Sequence, residues 1–344
     1  MDDNEFLSYY FILFYFIFYD ILQKIYYTYI TWRLIMGKLR VALIAGGWSL
    51  EREVSLKSGQ YVYDNLDKDK YEVKRYDPSG DLLRLVEEAK DFDLALLFLH
   101  GKKGEDGSIQ GLLDLLHLPY VGSGVLASAL AMNKAVSKEL FRSTGLNVPK
   151  EMVFFRNQDI DPVRILSVLG KPVVIKPVEE GSSIGLSICS TKGEIVEAIK
   201  DAFAISSEVM AEEYIKGREV SCAVLGNREP EALPVVEIIP QEKYRFFSYT
   251  AKYETGASQE ICPAQISSDA YKKVQSFAIK AHCLLGCRSF SRSDMIVTAK
   301  DVYILETNTI PGMTENSIFP LAARTAGLPF SKLLDRLIEL AFED

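Results

Sequence analysis

Residues 173–189 read VVIKPVEEGSSIGLSIC. Val173–Pro177 has strand length and is apolar apart from Lys176. Val178–Gly185 is a Gly/Ser turn, and Leu186–Cys189 is a second short strand. The order is therefore strand, Gly/Ser turn, strand. A dinucleotide-binding fold would show strand, GxGxxG turn, helix, and a P-loop would show GxxxxGK[ST]; neither pattern is present. Lys176 ends the first strand just before the turn. Backbone N–H groups of such a turn can cradle phosphates while a lysine supplies a point charge. Taken alone, an ordinary hairpin would use the same turn, so its meaning depends on the residues around it.

Upstream, the pattern is α/β. Leu39–Ala45 is a continuous apolar run stopped by Gly46-Gly47, and Ser49–Ser55 leads into a helix to about Leu66. Tyr71–Tyr76 is a strand stopped by Asp77-Pro78-Ser79-Gly80, Leu82–Lys90 a helix, and Leu94–Leu99 a second buried strand ending at His100-Gly101. Ile109–Leu116 is a helix and Tyr120-Val121 a short strand. Alternating strands and helices imply a parallel sheet, with function gathered at the carboxyl ends of its strands. A helix over 123–144 is expected to cross to the second region. Downstream of the Gly/Ser turn, Glu194–Ala204 reads as a helix, and Val209–Ile215, Glu219–Leu225 and Leu233–Ile239 as antiparallel strands. Ser268–Leu285 is a long amphipathic helix, Arg292–Thr298 and Val302–Glu306 form a hairpin, and Leu333–Phe342 closes the chain.

The whole chain has 344 residues, 48% apolar and 25% charged, which fits two or three globular domains. Its net charge of −8 argues against a dedicated nucleic-acid binder. Five scattered cysteines form no disulfide framework and point to a reducing, cytosolic setting. Residues 1–35 stand apart: 22 of them are Phe, Tyr, Ile or Leu. The uncharged run Phe6–Tyr19 is shorter than the roughly 20 residues that a spanning helix needs. It also lacks the basic start and cleavage site of a secretory signal. A weak membrane anchor, a packed extra helix and a start-site artefact compete. The artefact is favoured, with Met36 as initiator ahead of GKLRVALIAGG. Membrane contact is expected only if residues 1–35 are real.

The hairpin carries the strongest chemical signal. Asp294 lies on one strand, and Glu306 and Asn308, two apart on the next, point to one face. Two carboxylates and an amide oxygen are hard ligands, suited to Mg²⁺ and not to Zn²⁺. A solvated acidic hairpin would look similar, but Arg292 shares the face of Asp294. A cation beside a metal site calls for an anion between them, and phosphate fills that role. His100 opens the Gly-rich loop HGKKGEDG at a strand end, where ligands bind in open sheets. Glu51 follows the Gly46-Gly47 turn and can pair with an ammonium; the alternative is helix capping, with Ser49 as N-cap. His282, Cys283 and Cys287 lack a second ligand pair and read as core or surface residues.

GGWSLEREVSLKSG, HGKKGEDG, VIKPVEEGSSIG, AKYETG, SRSDM and LETNTIPGMTENS occur in this order. From about Leu39 to Phe342 the chain thereby resembles the D-alanine–D-alanine ligases of the ATP-grasp superfamily. The resemblance implies a fold of α/β plus α+β class. An N-terminal parallel-sheet (pre-ATP-grasp) domain over 36–130 would precede a two-lobed ATP-grasp fold, with a central lobe over 131–218 and a C-terminal lobe over 219–344. It implies ATP-dependent joining of two D-alanines through an acyl phosphate, for peptidoglycan precursor synthesis. ATP and two Mg²⁺ (or Mn²⁺) ions would be needed, and the enzyme would be a cytoplasmic homodimer.

By the same resemblance Asp294, Glu306 and Asn308 would hold the metal ions. Lys134 and Lys176 would meet nucleotide phosphates and Lys252 the γ-phosphate. Glu180 and Ser183 of the Gly/Ser turn, Glu212, the Ile215 backbone and Glu219 would complete the nucleotide site. Glu51 would anchor the first D-alanine's ammonium within a network that includes Ser182 and Tyr253. His100 would lie near that substrate. Arg292 and the Gly312 N–H would stabilise the oxyanion, and Ser317 would hold the second D-alanine's carboxylate. A loop around 245–256 would close over the site, since an acyl phosphate must be kept from water. Trp48, Leu50, Asn133, Ser291 and Ile310 depart from the family's usual residues without removing a proposed ligand. The rival readings are a D-alanyl–D-lactate ligase, a non-catalytic ATP-grasp sensor and a membrane-tethered scaffold.

Overall fold

The computed structural model describes residues 37–241 and 258–343. The segment 1–35, Lys252 and Tyr253 lie outside the described residues. A parallel sheet comes first: β1 (Leu39–Ile44), β2 (Tyr71–Tyr76), β3 (Leu94–Leu97) and β4 (Tyr120–Val121) in the order β2-β1-β3-β4. β3 is apolar and buried along its whole length, as a strand covered on both faces must be. Helices α1 (Arg52–Asn65), α2 (Pro78–Glu88) and α3 (Ser108–Leu115) follow the first three strands.

Two antiparallel sheets come next. β5 (Glu151–Phe155), β6 (Val173–Pro177), β7 (Ser187–Cys189) and β8 (Glu208–Glu213) lie in the order β5-β8-β6-β7. α6 (Pro162–Leu169) and α7 (Lys192–Ile205) pack on them around Ile165, Ile175 and Ile195. β9 (Arg218–Leu225), β10 (Glu231–Ala232), β11 (Val236–Pro240), β12 (Ser258–Ile261), β13 (Phe290–Val297) and β14 (Val302–Asn308) form the larger sheet. Its order is β12-β11-β9-β13-β14, with β10 beside β9. α8 (Ser268–Leu285) covers one face through Val274, Phe277 and Ala281.

One core joins the parallel sheet to the last two helices. Leu43 of β1 and Phe98, just beyond β3, belong to the same buried cluster as Phe290 and residues of α9 (Ile318–Thr325) and α10 (Phe330–Leu340). The Phe290 and Phe319 rings meet edge to face, 5.6 Å apart. Lys70 and Tyr71 bind Asp335 of α10 at 2.7 and 2.8 Å. The carboxyl ends of β1 and β3 are thus packed against the chain that leaves β14. Among the described residues no helix is long and apolar enough to cross a membrane.

Several boundaries differ from the sequence expectations. The helix expected over 123–144 is two helices, α4 (Val125–Met132) and α5 (Lys134–Ser143). Asn133 breaks it: its backbone is extended, and its side chain caps α5 by accepting the Val136 N–H at 3.0 Å. Ser49 is not an N-cap; Glu51 takes the N-cap position, and the Ser49 hydroxyl donates to the His100 carbonyl at 2.6 Å. Asp77-Pro78 starts a helix as well as stopping a strand. Asp77 accepts the Ser79 N–H and Pro78 stands in the first turn, where its missing N–H costs nothing. The strand expected over Leu233–Ile239 begins only at Val236. β5, α6, β12 and α9 were not foreseen.

Candidate active site

The large sheet leaves the face opposite α8 for polar residues. Arg292 and Asp294, two apart on β13, lie there, opposite Ala223 and Ser221 of β9 and Asn308 and Glu306 of β14. Arg292 binds Asp294 at 2.8 Å, and the Ser221 hydroxyl donates to the other Asp294 oxygen at 2.6 Å. Asn308 reaches the Arg292 carbonyl at 3.5 Å. Asp294 and Glu306, paired across the two strands, line a cleft of about 430 Å³. Two facing carboxylates with an amide two residues on make an all-oxygen donor set. That set fits Mg²⁺ or Mn²⁺.

The cleft lies between the two antiparallel sheets. Val174, Ile188, Ile215, Ile238, Ile296 and Leu305 supply apolar walls. Every sequence-predicted nucleotide residue among the described ones lines it: Lys134, Lys176, Glu180, Ser183, Glu212, Ile215 and Glu219. The cations are held by internal partners. Lys134 donates to the Glu180 carbonyl at 2.6 Å and stands 3.4 Å from Glu306. Lys176 binds one oxygen of Glu212 at 2.8 Å. Lys102 binds Glu180 at 2.9 Å. Beginning α5 at Lys134 is what brings this lysine into the cleft, so the Asn133 break has a use.

Sequence reasoning missed Lys138. It lies one turn beyond Lys134 on α5, is fully buried, and binds the other oxygen of Glu212. Burial pulls its ammonium down to about 8. Glu212 is also buried, yet Lys138 and Lys176 outweigh the desolvation and keep its carboxyl below the usual range. The available signal was the spacing of two lysines on one face of an amphipathic helix.

A second group of buried polar residues lies beyond the ends of β1 and β3. Glu51 is buried, and the Ser182 hydroxyl donates to it across 131 residues of chain. Gly181 and Gly101 wall this carboxylate, and a Cβ at either would press on Glu51 Oε2. Ser182 and Ser183 both hold left-handed backbone, with φ of 50° and 59°. Such strain in non-glycine residues gathers at ligand-holding turns. His100 is buried with Nε2 3.4 Å from the Ser58 hydroxyl. Desolvation drives its pKa down to about 4, so the ring is neutral.

Glu105, in the quoted HGKKGEDG loop but given no role, sits beside them. One oxygen accepts the Gly101 N–H at 2.8 Å and the other the Ile310 N–H at 3.2 Å. Desolvation and the neighbouring Glu51 push its pKa up. Beyond β14, Gly312 adjoins Ser317: a Cβ at Gly312 would lie 3.0 Å from the Ser317 hydroxyl. That hydroxyl accepts the Thr314 N–H at 3.0 Å. The unusual residues are accommodated locally. Ser291 binds His282 Nδ1 at 2.8 Å, Ile310 is buried, and Trp48 and Leu50 face solvent.

The family model described as D-ala D-ala ligase C-terminus matches residues 140–339, and the one described as D-ala D-ala ligase N-terminus matches 77–123. The D-alanine–D-alanine ligase of Syntrophobacter fumaroxidans is 54% identical over 307 residues, covering 89% of this chain and 99% of that one. That of Desulfotalea psychrophila is 50% identical over 308 residues, covering 89% and 96%. Among solved structures, the D-alanine–D-alanine ligase of Bacillus anthracis complexed with ATP superposes with a TM-score of 0.77 at 35% identity, covering 88% and 97%. The VanG D-Ala:D-Ser ligase of Enterococcus faecalis gives 0.75 at 35%, covering 88% and 99%.

Proposed function

The chain belongs to the D-alanine–D-alanine ligase family, and from that footing we propose that it joins two D-alanines at the expense of ATP. The product is the D-alanyl-D-alanine of peptidoglycan precursors. One observation carries the reading: the hairpin of β13 and β14 serves two groups of residues. Its Asp294 and Glu306 line the cleft suited to a nucleotide, and Ile310, just beyond β14, donates its N–H to Glu105 beside the buried Glu51. Phosphorylating a carboxylate needs the phosphate end of one site to open on the carboxylate end of another.

Glu51, oriented by Ser182, binds the ammonium of the first D-alanine. That substrate's carboxylate oxygen attacks the γ-phosphorus, the bond to ADP breaks, and an acyl phosphate forms. The amine of the second D-alanine then attacks the acyl carbon, and phosphate leaves. Arg292 and the Gly312 N–H meet the tetrahedral oxyanion, and Ser317 holds the second carboxylate. Lys134 and Lys176 exchange their carboxylate partners for phosphate oxygens. Divalent ions held by Asp294, Glu306 and Asn308 would neutralise phosphate charge. Lys252 and Tyr253 are assigned the γ-phosphate and the Glu51–Ser182 network by resemblance alone. The domains divide at 36–130, 131–218 and 219–344, and the enzyme works in the cytosol as a homodimer.

The test is phosphate release from ATP and Mg²⁺ by the full chain and by protein starting at Met36, with the product identified by mass. D-alanine alone is expected to yield D-alanyl-D-alanine with both proteins. Release only with D-lactate or D-serine added would move the acceptor specificity. Nucleotide binding without any release would favour a sensor. Activity confined to the full chain would make residues 1–35 part of the enzyme.

A further inference from the structure

The inner wall of the cleft has a carboxylate held from behind. Glu212 lines the cleft, each of its two oxygens meeting a different lysine. The two lysines are not equivalent. Lys176 itself lines the cleft, within reach of a ligand's phosphates. Lys138 does not; its side chain is fully buried and its ammonium is committed to Glu212. When an anionic ligand draws Lys176 away, Lys138 remains as the counterion. Without it, a carboxylate this buried would take up a proton.

The surroundings suggest what Glu212 reads. The slot beside it is walled by Val174, Ile188, Ile215 and Leu305, a setting for a flat heteroaromatic ring. An ionised carboxylate only accepts hydrogen bonds, whereas a protonated one can also donate. An anion at this wall therefore favours a ring bearing an exocyclic amine and repels one bearing a carbonyl oxygen. Resting on the nucleotide reading above, we propose that Lys138 is a specificity-determining residue: by keeping Glu212 an anion, it makes the site take 6-amino purine nucleotides and reject 6-oxo ones.

The experiment compares ADP with IDP by calorimetry without added metal, and ATP with ITP in phosphate release with D-alanine. The full-length wild type, Lys138→Met, Lys138→Gln and Lys138→Arg are used, with melting curves to establish folding. Wild type is expected to prefer the 6-amino nucleotide by on the order of 10² or more, as a site built around one polar contact does. Lys138→Met and Lys138→Gln should lower that preference at least about tenfold, equal to about 1.4 kcal/mol of discrimination. The KM for D-alanine should stay put, and Lys138→Arg should keep the preference. An unchanged preference in the folded neutral variants, or none in wild type, overturns the inference while leaving the nucleotide reading intact. Wild type that binds neither nucleotide overturns both. Failure of both neutral variants to fold beside a folded Lys138→Arg makes the lysine structural and also overturns the inference.

Discussion

Arg292 and Asp294 hold one another at 2.8 Å, so the cation proposed to meet the oxyanion is already held in place by its partner. On that proposal its removal takes away transition-state charge. Arg292→Ala should therefore slow turnover by on the order of 10²–10³, the usual loss for one oxyanion donor. Steady-state phosphate release would show it, and wild-type kcat would refute the role. Glu105 makes a different demand. Both of its oxygens accept backbone N–H groups, from Gly101 and from Ile310. Glu105→Gln must turn an amide N–H₂ toward one of those donors. The expected result is a KM for D-alanine raised on the order of 2- to 10-fold, the worth of one ordinary hydrogen bond because burial beside Glu51 pushes the Glu105 carboxyl toward its neutral form, with the KM for ATP little changed. Equal rises in both constants would mean that the loop is merely loosened.

At the scale of elements, Asn133 ends α4, caps α5 and thereby sets where Lys134 and Lys138 point. Asn133→Ala should cost about 1 kcal/mol of stability, measurable by urea unfolding. His282 on α8 is fully buried on Ser291, and desolvation lowers its pKa to about 4. Unfolded chains bind a proton there below pH 6.5, and the native state does not. Stability should therefore fall as pH drops from about 6.5 to 4, by about 1.4 kcal/mol per pH unit for this histidine. His282→Gln should flatten the slope of unfolding free energy against pH by that amount. The elements themselves were mostly legible. Val173–Pro177 is a strand as read, and the Asp294–Glu306 pairing follows from the alternation of the hairpin. What was hidden was context. Nothing local distinguishes Asn133 as a helix break from a polar residue on one long helix. Ser49 looked like a cap because its competing acceptor, the His100 carbonyl, is 51 residues away.

For the molecule as a whole, the shared core of the parallel sheet with α9 and α10 fixes the residues around Glu51 against the chain leaving β14. Glu51, His100 and Glu105 are thereby held beside Ile310, and Ser182 reaches Glu51 separately, from the turn after β6. The motifs supplied their identity in sequence, and the fold supplied their meeting. Glu105 and Lys138 escaped notice because burial and partners, which sequence does not display, give them their roles. The cleft has one more consequence. Among the described residues its lining carries seven carboxylates, Glu180, Glu212, Glu213, Glu219, Glu237, Asp294 and Glu306, against three cations, Lys134, Lys176 and Arg218. A bare nucleoside triphosphate thus approaches an entrance of its own sign. Added salt shortens the reach of that field, from about 30 Å at 0.01 M to about 10 Å at 0.1 M. Stopped-flow association of uncomplexed ATP should then quicken as salt is raised, the reverse of an attractive, steered encounter. A rate that falls with salt would mean that the entrance is governed by charges beyond this lining.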